Sequence, residues 1–183
     1  MNRKTTNKAV FLDRDGVINK VVYHKNIDKP SSPWSIDEFK IIKGIKKPLD
    51  KLKEMGFLLF IISNQPDIAR GNIKKGTIEK INKIIYEKFP ITEIKTCPHD
   101  DKDNCNCRKP KIGMILDLQK KYDIELRQSY IIGDTIKDLK TGENAKITTI
   151  LIDRKYNQNI KTEFREKSLD DAVKIIYKKS EEK

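Results

Sequence analysis

An α/β fold with a mostly parallel sheet and helices on both of its faces is what this sequence predicts. Three observations carry that expectation. Short apolar runs alternate with longer stretches whose apolar residues recur at helical spacing. Alternation of that kind requires crossover connections, and those lay strands side by side in parallel. Three of the apolar runs also stop abruptly at polar residues, as strands do when their ends open onto a crevice.

In chain order, AVFL (9–12) reads as the first strand. Residues 44–55 read as a helix with Ile45, Leu49 and Leu52 on one face, ended by Gly56. FLLFII (57–62) is a second buried strand, followed by a helix over 75–89 with Ile78, Ile81 and Ile85 in register. TEIKT (92–96) is a weak third strand, 112–122 a helix, SYIIG (129–133) a fourth strand, 136–145 a helix, TTILI (148–152) a fifth strand and 169–178 a last helix. Two segments, 21–34 and 97–110, are long for ordinary loops, and loops of that length tend to carry function.

At 183 residues the chain suits one domain spanning 1–183. No apolar run approaches the roughly 18 residues that a membrane helix needs, so no membrane partner is expected. The start, MNRKTTNK, has no apolar leader, and a cytoplasmic protein is the expectation. Net charge is +12, from 39 basic and 27 acidic residues, so nucleic acid has to be weighed as a partner. Most of the excess is lysine spread along helices, as in IKKPLDKLKEM, and only seven arginines occur. With no arginine–aromatic stripe for bases to stack on, a solvated lysine surface with a small anionic substrate is the better reading.

The polar strand ends are where chemistry is expected. AVFL ends at Asp13, FLLFII at Ser63 and Asn64, and SYIIG at Asp134. In an open parallel sheet these ends share one crevice. Clustered carboxylates need a compensating cation, and Mg²⁺, with its preference for oxygen and its habit of bridging to phosphate, suits Asp13 and Asp134 with Asp15 close by. Asp13 and Asp15 sit two apart, so both can face one reacting group. One carboxylate can attack phosphorus and the other can serve the leaving oxygen as acid, then water as base. An isolated Asp-x-Asp would more simply cap a turn; the apolar run before it, Gly16 after it and GDTIKD (133–138) later favour the chemical reading.

All three cysteines and one of two histidines fall within CPHDDKDNCNC (97–107). An odd, clustered set is unlike a disulfide framework. Cys97, His99, Cys105 and Cys107 supply three thiolates and an imidazole, the donor set of a closed, structural Zn²⁺ site. The other histidine, His24, is isolated and is expected to be solvated.

DRDG (13–16), SNQ (63–65), CRKP (107–110) and GDTIKD (133–138) together resemble the four motifs of the haloacid dehalogenase (HAD) superfamily of phosphatases, over about residues 9 to 154. The resemblance implies a Rossmann-like HAD fold without a large cap domain. It implies Asp13 as nucleophile, Asp15 as acid/base and Ser63 as a hydrogen-bond donor to the transferring phosphoryl group. Lys109 would neutralise that group, with Asn64 among the substrate contacts. Mg²⁺ would be held by Asp13, Asp134 and the Asp15 backbone carbonyl, and Asp138 would support it through water.

The zinc loop running into CRKP is similar to that of D-glycero-D-manno-heptose 1,7-bisphosphate phosphatases and of their relatives, the histidinol-phosphate phosphatases. NQPDIARG (64–71) and CRKPKIGM (107–114) lean toward heptose. That branch implies release of the C7 phosphate, Arg108 on the retained C1 phosphate, heptose supply for a surface polysaccharide or lipopolysaccharide, and a monomer. Asp67 and the five-residue gap between CPH and CNC lean toward histidinol phosphate. A nucleic-acid 3′-phosphatase shares the motifs, and a non-enzymatic zinc-stapled binding module is the remaining alternative.

Overall fold

Strand β1 (Ala9–Leu12) is buried on both faces, as an uninterrupted apolar run in a parallel sheet should be. The computed structural model describes residues 6–25 and 27–181; residues 1–5, on which part of the leaderless reading rests, lie outside them, as do 26, 182 and 183. β1 pairs in parallel with β2 (Leu58–Asn64) on one side and β4 (Tyr130–Gly133) on the other. Outside these lie β3 (Glu93–Cys97), β5 (Thr148–Ile152) and a two-residue β6 (Arg165–Glu166), all parallel, in the order β3-β2-β1-β4-β5-β6.

Alternate side chains of each central strand feed two apolar clusters. Val10, Leu12, Leu59, Ile61 and Ile132 face helices α1 (Lys46–Glu54), α2 (Lys75–Lys88) and α5 (Leu169–Glu181) through Leu49, Leu52, Ile81, Ile85, Ala172 and Ile176. Ala9, Phe11, Phe60, Ile62 and Ile131 face α3 (Gly113–Tyr122) through Met114, Ile115 and Leu118, and Ala145 of α4 (Ile136–Ala145) joins them. Each face thus removes a near-continuous apolar layer from water, the main favourable contribution to folding. Among the described residues no helix is long and apolar enough to cross a membrane.

Several features depart from the sequence reading, among them β2, which runs through Ser63 and Asn64, two residues past its expected end. β6 has no apolar signature; it forms because Leu151 and Ile152 leave an unpaired edge that Arg165 and Glu166 complete. β3 runs one residue past the expected end, so Cys97 belongs to the sheet. His24, expected in solvent, is instead packed: its ring stacks on Trp34 at 3.5 Å between centroids, and Nε2 lies 3.1 Å from the Ser32 carbonyl. The aromatic neighbour ten residues on offers the ring an apolar face that outweighs hydration.

Candidate active site

The carboxyl ends of β1, β2 and β4 meet at one cleft of about 350 Å³, and Asp13, Asp15, Asn64, Arg108, Lys109 and Asp134 all line it. A larger groove, about 1080 Å³, lies between α1 and α5, where it is lined mainly by lysines and acids and holds none of the strand-end residues.

Asp13 follows β1 directly, and its N–H donates to Ile132 of β4, fixing the turn to the sheet. The Lys109 ammonium lies 3.1 Å from Asp13 Oδ1 and 2.6 Å from Asp138 Oδ1. Lys109 is 2% exposed, and Asp134 and Asp138 are 1% and 0%. Three nearly buried carboxylates therefore face one ammonium. Burial pushes the Asp13 carboxyl up to about 7, with Lys109 pulling against it and Asp138 and Asp15 adding to the rise. Burial, with Asp13 and Asp138 beside it, also holds Asp134 well above the carboxylate range. Burial works against the charge on Lys109, but Asp13 and Asp138 outweigh it and raise the ammonium above its ordinary value.

Asp138 holds the site through structure already present. It closes a capping box with Thr135 at the start of α4. Its Oδ2 accepts from the Thr135 N–H at 3.0 Å and hydroxyl at 2.6 Å, while Oδ1 takes Lys109. Gly133 makes the close approach feasible: a Cβ there would sit 2.3 Å from Asp138 Cγ. Gly16 is needed for two reasons, its φ of +85° and the 1.8 Å that would separate a Cβ from Asp134 Oδ2.

The β2 end contributes differently from expectation. Ser63 is buried, and its hydroxyl accepts from Gln65 Nε2 at 2.8 Å. Asn64 clamps Lys109 in both directions, its Nδ2 donating to the Lys109 carbonyl at 3.1 Å and its Oδ1 accepting from the Lys109 N–H at 3.0 Å. Asp15 accepts from Gln65 Nε2 at 2.7 Å, Asn19 Nδ2 at 2.8 Å and Arg14 Nη2 at 3.1 Å. These three donors fix the orientation of the Asp15 carboxyl group.

Sequence reasoning missed Arg14, Asn19 and Gln65, which orient Asp15. It also missed the loop after β5. There the Tyr156 hydroxyl donates to Asp134 Oδ2, Asn157 Nδ2 donates to the Asp134 carbonyl at 2.8 Å, and Arg154 donates to the Gly16 carbonyl through Nε at 3.0 Å. Position just past a strand end was the only available signal for that loop.

Asp13, Asp134 and Asp138 offer carboxylate oxygens within 4.8 Å of one another, and Asp134 Oδ1 is buried without a hydrogen-bond partner. The excess of negative charge and the orphaned oxygen both fit a hard divalent cation. At the second cluster, Sγ of Cys97 lies 3.2 Å from Cys107 and 3.6 Å from Cys105, Cys105 and Cys107 are 3.4 Å apart, and His99 Nδ1 lies 3.3 Å from Cys107 and 3.7 Å from Cys97. A Zn²⁺ tetrahedron with metal–sulfur bonds of roughly 2.3 Å needs edges of about that length, so the Cys/His cluster is compatible with zinc.

Arg108, the residue after Cys107, is held by the same loop. Its Nε donates to Asp101 Oδ1 at 2.7 Å and its Nη1 to the His99 carbonyl at 3.2 Å. The Arg108 guanidinium keeps the Asp101 carboxyl below the usual range. Arg70 grips Asp100 with two 2.7 Å bonds and holds its carboxyl lower still. Lys137 Nζ reaches Asp101 at 3.9 Å. Burial lowers the Lys137 ammonium, and the nearness of Arg108, Lys29 and Arg70 lowers it further. One wall of the cleft is therefore crowded with cations.

Known proteins resemble this chain in sequence and in fold. The polynucleotide kinase 3 phosphatase family matches residues 8–167. The D-glycero-alpha-D-manno-heptose-1,7-bisphosphate 7-phosphatase of Campylobacter jejuni is 37% identical over 150 residues, 79% of this chain and 81% of that protein. The D-glycero-beta-D-manno-heptose-1,7-bisphosphate 7-phosphatase of Helicobacter pylori is 38% identical over 153 residues, covering 80% and 84%. The structure of D,D-heptose 1,7-bisphosphate phosphatase from B. bronchiseptica, complexed with magnesium and phosphate, superposes with a TM-score of 0.79 at 26% identity, covering 94% of this chain and 99% of that one.

Proposed function

This chain belongs to the HAD-type phosphatase family of those relatives, described by the polynucleotide kinase 3 phosphatase match, and on that premise we propose that it releases the C7 phosphate of a D-glycero-D-manno-heptose 1,7-bisphosphate, leaving the 1-phosphate. The observation that carries the reading is the Lys109 ammonium set between Asp13 and Asp138 beside the unpartnered Asp134 oxygen. That constellation suits a transferring phosphoryl group bridged by a divalent cation.

In the mechanism we infer, Asp13 attacks phosphorus while Asp15 gives a proton to the departing sugar oxygen; Asp15 then takes a proton from the water that cleaves the aspartyl phosphate. Lys109 and the Ser63 hydroxyl stabilise charge spread over the phosphoryl oxygens. Asn64 and Asp138 act by holding Lys109 in place. Mg²⁺, held by Asp13, Asp134 and the Asp15 carbonyl, would supply the remaining positive charge. Arg108 would meet the C1 phosphate, and Zn²⁺ on Cys97, His99, Cys105 and Cys107 would fix the loop that carries Arg108. The reading includes one phosphatase domain over 1–183, acting as a monomer. It also includes a cytoplasmic setting, since free thiols used as metal ligands suit a reducing compartment.

Two other substrates are outcomes of the test. Histidinol phosphate drew support from Asp67, which lines the cleft, although both of its oxygens already accept, from Asn72 at 2.9 Å and from Ser31 at 3.3 Å. A 3′-phosphorylated polynucleotide is favoured by the name of the matching family and predicts steeply salt-dependent binding. Phosphate release with Mg²⁺ from both heptose 1,7-bisphosphate anomers, histidinol phosphate and a 3′-phosphorylated oligonucleotide, each with and without Asp13→Asn, decides among them. Preference for one heptose anomer, lost in the variant, is the expected result; turnover of another substrate alone overturns the sugar and keeps the chemistry.

A further inference from the structure

Arg108 and Lys137 converge on a single carboxylate, Asp101 Oδ1, at 2.7 and 3.9 Å. All three residues line the cleft that holds Asp13. Their settings differ sharply. The Arg108 side chain is 9% exposed, whereas that of Asp101 is 73% exposed. The backbone beneath Asp101 is fixed independently of it: Asp100 caps the short turn Asp101–Asp103 and is gripped by Arg70. Asp101 is therefore not required to hold its own turn, and its carboxylate can swing into water at small cost. Arg108 keeps its Nη1 bond to His99 when that happens, so it stays aimed at the cleft.

We propose that Asp101 is a specificity-determining residue: in the free enzyme its carboxylate stands in for the substrate's second, non-reacting phosphate on Arg108 and Lys137, and that phosphate displaces it. The proposal rests on the bisphosphate reading above. A dianion outcompetes one exposed carboxylate for two cations, while a substrate bearing only the reacting phosphate leaves Asp101 in place and gains nothing at this wall. The stand-in thus costs affinity only for the substrate whose second phosphate has to displace it, and so sets how strongly a bisphosphate is preferred.

The test is Asp101→Asn, assayed with heptose 1,7-bisphosphate and heptose 7-phosphate, which differ only in the second phosphate. Removing one competing charge at a half-open site should lower KM for the bisphosphate about five-fold relative to the 7-phosphate, with kcat for the two changing in parallel. Asp117→Asn, the same charge change on an exposed side chain of α3, should leave the ratio alone. Fructose 1,6-bisphosphate and fructose 6-phosphate give the same comparison on another sugar. A shift in the fructose pair with an inert heptose pair keeps the stand-in and overturns the heptose reading. Equal shifts for mono- and bisphosphate, no shift in either pair, or no preference of the unmodified enzyme for a bisphosphate overturns the proposal.

Discussion

The phosphoryl-binding floor and the cysteine–histidine loop both gather groups that repel one another or bind water well, yet they do so by opposite means. On the floor, Asp13, Lys109, Asp134 and Asp138 come from three distant stretches; those at the ends of β1 and β4 meet because these two fully buried strands are parallel neighbours. In the loop, all four donors lie within eleven residues and only Cys97 is buried, on β3. The floor holds a buried carboxylate oxygen with no hydrogen-bond partner among the described residues; the loop sets its four donors at spacings compatible with a closed tetrahedron. An open site made by the sheet can change its ligands during a reaction, whereas a closed local one can only hold shape. The two are joined at one peptide run, Cys107-Arg108-Lys109, so the position of the cluster bears on where Arg108 and Lys109 stand.

Removing Lys109 should break the floor most completely. Lys109→Met takes away the cation that lies between Asp13 and Asp138, and phosphate release should fall by roughly 10³-fold, a loss of the size seen when preorganised charge stabilisation is removed. Zinc content, measured by metal analysis, should stay at one per chain; a parallel loss of zinc would mean that the two regions are not separable.

The converse cut is Cys97→Ser, which should lower zinc below one per chain and lower Tm by an amount that added zinc does not restore. Cys105→Ser should cost less Tm, because Cys97 is anchored in the sheet and Cys105 is not. Equal losses would show that burial of the thiol contributes nothing beyond its bond to metal.

Stability against pH sharpens the contrast further. The folded-state pKa of Asp13 is raised from 3.8 to about 7, so between those values the folded chain binds the proton more tightly than the unfolded chain. Stability from this group is therefore present at low pH and lost as pH rises toward about 7. Without Mg²⁺, Tm should fall over that window, and Mg²⁺ should restore it at the upper end. A Mg²⁺-independent Tm near neutrality would argue that no cation sits among these carboxylates.

Smaller effects separate support from contact. Asn64→Ala removes the two-way clamp on the Lys109 backbone and should lower kcat about ten-fold, the equivalent of one to two hydrogen bonds, with little change in KM. Arg70→Ala breaks the half-exposed pair with Asp100 and should change stability by less than about 1 kcal/mol; a larger loss by denaturant titration would mean that the turn at 101–103 depends on that pair.

Much of this arrangement could be read from the chain. The five main strands and five helices follow from apolar spacing, because buried parallel strands and amphipathic helices leave periodic marks. The four thiol and imidazole donors follow from proximity in sequence. Asp13, Lys109, Asp134 and Asp138 were legible because each stands at a strand end or in a motif. Arg14 and Gln65 stand in the motifs, but nothing local shows that they turn onto Asp15, and Tyr156 and Arg154 have no local pattern at all. Nor was His24 legible, since its burial depends on the ring of Trp34.

The sequence by itself determined the layered α/β architecture and the chemical character of both clusters, because periodicity and donor type are local properties. The tertiary structure alone decided which oxygens are left without partners, that Asn64 clamps Lys109, and that Asp101 is the carboxylate matched to Arg108 and Lys137. Those facts depend on angstrom distances between residues far apart in the chain, and only the packing of the sheet and its loops sets such distances.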